Sequence, residues 1–143
     1  MLVDANVLLY AVDDASPFNA AAVAWLEDVL NGPQRVGMAW PTLTAFLRIT
    51  THPRALAQPL APTSAWSHVE EWLACENVWT PLPTQRHADV LASLLTRYDL
   101  RGNLIADADL AALAIEHGLS ICSADTDFAR FREVRWINPI ATS

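Results

Sequence analysis

Residues 104–128, LIADADLAALAIEHGLSICSADTDF, decide how this chain is read. From Leu104 to Ala114 the residues turn helical, Gly118 stands where a helix closes in the left-handed region, and Leu119–Ser123 is a short apolar run of strand type. A helix that stops on glycine and enters a buried strand within a few residues is half of a β-α-β unit, and such units build parallel sheets covered on both faces. The strand then empties into Ala124-Asp125-Thr126-Asp127-Phe128, an acidic turn anchored by one aromatic side chain. Carboxylates there lie beyond the carboxyl end of a strand, where open α/β sheets keep their ligand sites.

The same punctuation recurs outward from this stretch. Residues 1–4 read as a very short buried strand ending on Asp4, and the apolar run continues through Val7–Ala11 into a turn. Ser16 and Pro17 open a helix over FNAAAVAWLEDVL that Asn31 and Gly32 close. Arg35–Ala39 suggests a second strand, and Pro41 opens a helix through TLTAFLRIT that stops near His52 and Pro53. After a loop holding Pro53, Pro59 and Pro62, Thr63 caps SAWSHVEEWLAC, Val78–Thr80 is a third strand and Thr84 caps QRHADVLASLLTRY. The fold class expected is α/β: a three-layer arrangement with a short central parallel sheet flanked by helices, in a single domain over residues 1–143.

Composition agrees with a packed core. The chain has 143 residues, a hydrophobic fraction of 52% and a charged fraction of 17%, which excludes extended disorder. Its net charge is -7 and all nine basic residues are arginine, which together with the abundance of alanine suggests a GC-rich bacterial genome. An acidic balance counts against a nucleic-acid ligand unless metal ions or a local arginine cluster reverse the sign. Cys75 and Cys122 lack any metal-ligand spacing and read as buried free thiols. Asp4, Asp13 and Asp14 interrupt the first apolar stretch, so no signal peptide is expected, and no apolar run approaches the ~20 residues that span a membrane. The compartment expected is the cytoplasm.

Three separate segments deliver Asp4, Asp107, Asp125 and Asp127 to the same edge of the sheet. Four carboxylates held together raise one another's pKa unless a cation sits between them, and a divalent metal with a phosphate-ester substrate is the simplest resolution. Asp109, about 200° around the helix from Asp107, reads as solvent-facing. Asn6 can orient Asp4 from the same turn. His52 and His87 have no partner spacing and read as surface or packing residues. Six tryptophans exceed what one small core needs and suggest interfaces.

The pattern DxN at Asp4–Asn6, DAxxAAxA at Asp107–Ala114 and SxDxDF at Ser123–Phe128 resembles the PIN-domain ribonucleases, specifically VapC-type toxins of type II toxin–antitoxin modules. WPTLTAFLRITTHPR and RGNLIADADLAALA look like a large mycobacterial group of these toxins. The resemblance implies an endoribonuclease that uses Mg2+, with Mn2+ as a substitute, on a structured RNA such as tRNA, leaving a 5'-phosphate and a 3'-hydroxyl. It assigns Asp4 and Asp107 to the inner shell of the metal, Asp125 and Asp127 to waters or a second ion, and Asn6 and Ser123 to orienting the carboxylates. It also implies a homodimer and a VapB-type antitoxin that covers the acidic site. Arg101 is the foremost candidate for a phosphate contact because its loop leads to Asp107; Arg97 and Arg48 follow.

One departure accompanies the resemblance. The family commonly carries a glutamate on the helix that here reads TAFLRIT, and Phe46 falls near that place. A four-aspartate variant of the centre is expected. Two alternatives stand beside it: a PIN-like scaffold that binds antitoxin or RNA without cutting, and a haloacid-dehalogenase-like phosphatase, whose DxDx[TV] motif is broken here by Asn6.

Overall fold

The computed structural model describes residues 1–140; the last positions of the expected 1–143 domain lie outside the described residues. Five two-residue strands form one sheet: β1 (Leu2–Val3), β2 (Val36–Gly37), β3 (Val78–Trp79), β4 (Ile121–Cys122) and β5 (Trp136–Ile137). Their order is β3-β2-β1-β4-β5 and every neighbouring pair is parallel, with Leu2 opposite Gly37 on one side and Ile121 on the other. The connections run outward from β1 through β2 to β3, then return to the opposite side of β1 at β4. The strand order therefore reverses between β1 and β4, and a crevice opens at their carboxyl ends.

The helices are α1 (Ala5–Val12), α2 (Asn19–Leu30), α3 (Trp40–Thr50), α4 (Pro62–Leu73), α5 (His87–Tyr98) and α6 (Leu104–His117), with a 3-10 turn at Thr126–Arg130. They cover the two faces of the sheet separately. Val3, Val7, Leu8, Leu26, Val36, Leu43, Phe46 and Trp72 build one core beneath α1–α4. Leu2, Leu94, Ala108, Ala111, Ala112, Ile121, Phe128 and Phe131 build the other beneath α5 and α6. Alternation along even these short strands sends Leu2 and Val3 to opposite layers. The α/β three-layer architecture is as expected.

Two local readings are corrected, and one strand was not anticipated. Val7–Ala11 is not a run into a turn but part of α1, because the Asp4 carboxylate accepts the Ala5 N–H at 2.8 Å and so caps a helix directly after β1. The helix expected from Ser16 starts later, at Asn19: Ser16 Oγ accepts from the Phe18 N–H inside a turn instead of capping. The strand β5 carried no visible signal, since its two residues are half-buried and short. Gly118 closes α6 at φ 66°, a conformation that favours glycine.

Both cysteines are free; Cys122 is buried, which pushes its thiol up to about 11, and Cys75 is half-exposed. Of the tryptophans, Trp72 is core whereas Trp40 and Trp66 are exposed. Among the described residues no helix is long and apolar enough to cross a membrane.

Candidate metal centre

The crevice between β1 and β4 is lined from three directions. Asp4 arrives from the end of β1, Asp107 from the first turn of α6, and Asp125 and Asp127 from the 3-10 turn after β4. The small residues Ala108, Ala111, Ala112 and Ala114 are buried along α6, which lets the helix lie close to the sheet and sets the depth at which Asp107 emerges. Asp125 caps the 3-10 turn by accepting the Asp127 N–H at 2.9 Å, so one local bond sets the relation of these two acids. Phe128, buried, anchors the turn beneath them.

Asp107, Asp125 and Asp127 each place a carboxylate oxygen within 4.8 Å of the others. Asp4 stands beside this trio, and with Asp107 it lines a cavity of about 110 Å3. Asp107 thus stands between two groupings, with the two acids of the turn on one side and with Asp4 across the cavity on the other. Burial, then the charges of Asp125, Asp4 and Asp127, push the Asp107 carboxyl up to about 6, with Arg130 opposing. Burial also raises Asp4, against the hydrogen bonds from Ser123 and Ala5. Carboxylates that resist ionisation in this way are waiting for positive charge. An all-oxygen set of three or four carboxylates suits a hard divalent cation such as Mg2+ or Mn2+, so the residues fit the implied metal.

A polar web fixes Asp4 in place. Ser123 Oγ donates to Asp4 Oδ2 at 2.7 Å and accepts the Asp125 N–H at 3.0 Å. Asn6 Nδ2 donates to Ser123 Oγ at 3.0 Å and to Asp4 Oδ2 at 3.4 Å, while its Oδ1 accepts the Ala124 N–H at 3.2 Å. These bonds tie the end of β1 to the end of β4 and couple the positions of Asp4 and Asp125.

The gap in acids on α3 moves. Phe46 is fully buried in the opposite layer, its ring 4.9 Å from that of Trp72. The face of α3 that lines the cavity with Asp4 and Asp107 carries Thr42 and Ala45. The position where a further carboxylate could reach the centre is Ala45, one residue and about 100° of helix from Phe46.

The arginines separate. Arg101 pairs with Asp99 on the surface, Arg97 pairs with Glu133, and Arg48 lines a hollow with His52 and Arg54. The arginine that touches the acids is Arg130, whose guanidinium donates to the Asp127 carbonyl at 3.0 Å and to Asp127 Oδ1 at 3.2 Å. Its position three residues after Asp127 was the available signal. Asp109 is not left to solvent: it is half-exposed and bonded to His87 Nε2 at 2.7 Å. His87 Nδ1 meets Glu116, whose side chain is shielded from water and also accepts from Thr84.

Comparison with known proteins agrees with this architecture. Residues 1–134 match the PIN-domain family model. The chain is 47% identical to ribonuclease VapC37 of Mycobacterium tuberculosis over 98% of its own length and 97% of that protein's. It is 42% identical to ribonuclease VapC33 of the same species over 96% of each. Among solved structures it resembles VapBC2 from Rickettsia felis bound to a DNA fragment from their promoter, with TM-score 0.69, 14% identity and 96% of each chain covered. It also resembles Mycobacterium tuberculosis VapC20, described as a sarcin-ricin loop cleaving toxin, with TM-score 0.68, 19% identity, and 94% of this chain and 98% of that one covered. These two likenesses concern the fold.

Proposed function

This chain belongs to the PIN-domain family, and among its members to the VapC ribonucleases; on that premise we propose that it is the toxin of a type II toxin–antitoxin module and cuts RNA at its acidic crevice. The observation that carries the proposal is the convergence of Asp107, Asp125 and Asp127 within 4.8 Å at the reversal point of the sheet, with Asp4 beside them. The whole chain, 1–143, is read as one PIN domain.

In this reading the three converging carboxylates and Asp4 hold Mg2+, and Mn2+ substitutes. When bound, such an ion lowers the pKa of a coordinated water and neutralises charge on a phosphate. Asn6 and Ser123 keep the Asp4 carboxylate turned toward the crevice, the orienting role that partners of metal-binding carboxylates play. Water adds to the phosphorus, the bond to the 3'-oxygen breaks, and a proton passes to that oxygen, leaving a 5'-phosphate and a 3'-hydroxyl. A structured RNA such as tRNA is the substrate class in this reading, and the cytoplasm is where it would be met.

An antitoxin of VapB type is the proposed protein partner, covering the acidic mouth. Trp40 and Ile105, exposed at the starts of α3 and α6, are apolar surface for that cover or for a second copy of the chain in a homodimer.

The test is incubation of the purified protein with total RNA and Mg2+, followed by mapping of the new ends. Discrete cuts with 5'-phosphates, absent in EDTA, are expected. Intact RNA under all metal conditions contradicts the reading. A second reading, binding without cutting, draws on Thr42 and Ala45 where α3 could have supplied another acid. It predicts metal and RNA binding with no new ends.

A further inference from the structure

We propose that the groove between the end of α5 and the 3-10 turn is the path along which an RNA strand leaves the acidic centre, with Arg97, Arg130 and Arg132 as its phosphate-binding side chains. The inference rests on the ribonuclease reading above. The groove has a volume of about 600 Å3 and is lined by Arg97, Tyr98, Ala129, Arg130 and Arg132. Three of the chain's nine arginines therefore gather around one hollow in a protein of net charge -7. No carboxylate lines it; Asp127 and Glu133, which pair with two of the arginines, stand at its borders.

Arg130 joins this groove to the centre, because the guanidinium that lines the one is bonded to Asp127 of the other. A phosphodiester lying over the acids thus has cationic surface directly beside it. The other cavity at the centre does not suit a polyanion: it is about 110 Å3 and lined largely by Ala39, Pro41, Ala45, Leu110 and Leu113. The hollow at Arg48 and Arg54 lies at the far end of α3.

Hydrogen bonds and one aromatic contact hold the groove wall, and one of its three arginines, Arg132, is unpaired among the described residues. The Tyr98 hydroxyl donates to Glu133 at 2.6 Å and accepts the Arg132 N–H at 3.3 Å, and the Tyr98 ring packs edge-on against Phe131 at 5.5 Å. The Arg132 side chain is exposed and its guanidinium makes no hydrogen bond among the described residues. Arg97 is 63% exposed and bound on one nitrogen only. The unpaired Arg132 fork, and the Arg97 and Arg130 forks once a phosphate displaces Glu133 and Asp127 from them, suit phosphate, which guanidinium binds bidentately. An acidic peptide offers the same charge sign, but the groove's continuity with the acidic centre favours the strand that must cross that centre.

The test uses a fluorescently labelled RNA hairpin and a matching single strand, with Ca2+ replacing Mg2+ so that binding is read apart from cleavage. Arg132→Ala and Arg97→Ala are expected each to weaken binding roughly tenfold and to flatten the salt dependence by about 0.7 per arginine for the single strand. Arg132→Lys should keep the salt slope and lose part of the affinity, because charge survives while the fork does not. Glu133→Gln, which releases Arg97, should bind at least as tightly as the unaltered protein. Unchanged affinity and slope in both alanine variants overturns the proposal. So does loss of antitoxin binding with RNA binding intact, which would assign the groove to the protein partner. If the unaltered protein cuts no RNA, the ribonuclease reading fails, and the Ca2+ measurements still decide the groove by themselves.

Discussion

Asp107 is where the electrostatics of the crevice are most exposed to measurement. Its carboxyl titrates near 6 rather than at 3.8, so the folded, metal-free protein holds a proton that the unfolded chain has already released. Stability of the metal-free protein should therefore fall as pH rises between those two values. The full linkage would be about 3 kcal/mol; solvent screening of this half-exposed group reduces it to about 1 kcal/mol. Asp107→Asn should accordingly raise the melting temperature in EDTA at pH 7 by a few degrees, and the gain should vanish near pH 4. Metal binding competes with the same proton, so cleavage should decline as pH falls through about 6. Ser123→Ala removes the buried hydroxyl that joins Asp4 to the Asp125 backbone and should cost about 10–100-fold in metal affinity or turnover. The donors it orphans should also lower the melting temperature, through a loss of stability on the order of 1–3 kcal/mol.

At the scale of elements, α5 and α6 are clasped by a partly buried polar chain from Thr84 through Glu116 and His87 to Asp109. Burial disfavours the charge on His87, but Glu116 and Asp109 outweigh it and hold the imidazole above its ordinary 6.5. The charged ring can donate to both carboxylates, whereas the neutral ring can donate to only one. The clasp should therefore be complete below 6.5 and loosen as pH climbs through the raised value. His87→Gln should cost about 1–3 kcal/mol at pH 6 and abolish that part of the pH dependence, as thermal unfolding across pH would show. On α3, Phe46→Ala should cost roughly 3–5 kcal/mol as a core deletion. Ala45→Glu points a carboxylate into the cavity beside Asp4 and Asp107, and calorimetry should show Mn2+ binding tightened roughly tenfold.

What could be read in advance differs by the range of the interaction. Asp4, Asp107, Asp125 and Asp127 were legible because each follows a strand or opens a helix, a local signal. The phase of α3 was not: one residue separates Phe46 in the core from Ala45 at the cavity, and apolar residues occupy both faces. His87 and Glu116 lie 29 positions apart, and only the docking of α5 on α6 brings them together. Arg130 sat within reach of the acidic motif, but its bond to Asp127 depends on the 3-10 turn after β4.

Across the whole molecule, a sheet whose order reverses between β1 and β4 gathers acids from distant segments at one edge, and an arginine groove adjoins them. That joins negative charge for metal to positive charge for RNA in a chain of net charge -7. The most direct test of this account titrates Mn2+ into the unaltered protein and Asp107→Asn by calorimetry, then assays the same samples for RNA cleavage. Metal binding and cleavage are predicted in the first and lost together in the second. Cleavage that survives in Asp107→Asn, or in the presence of EDTA, would contradict it.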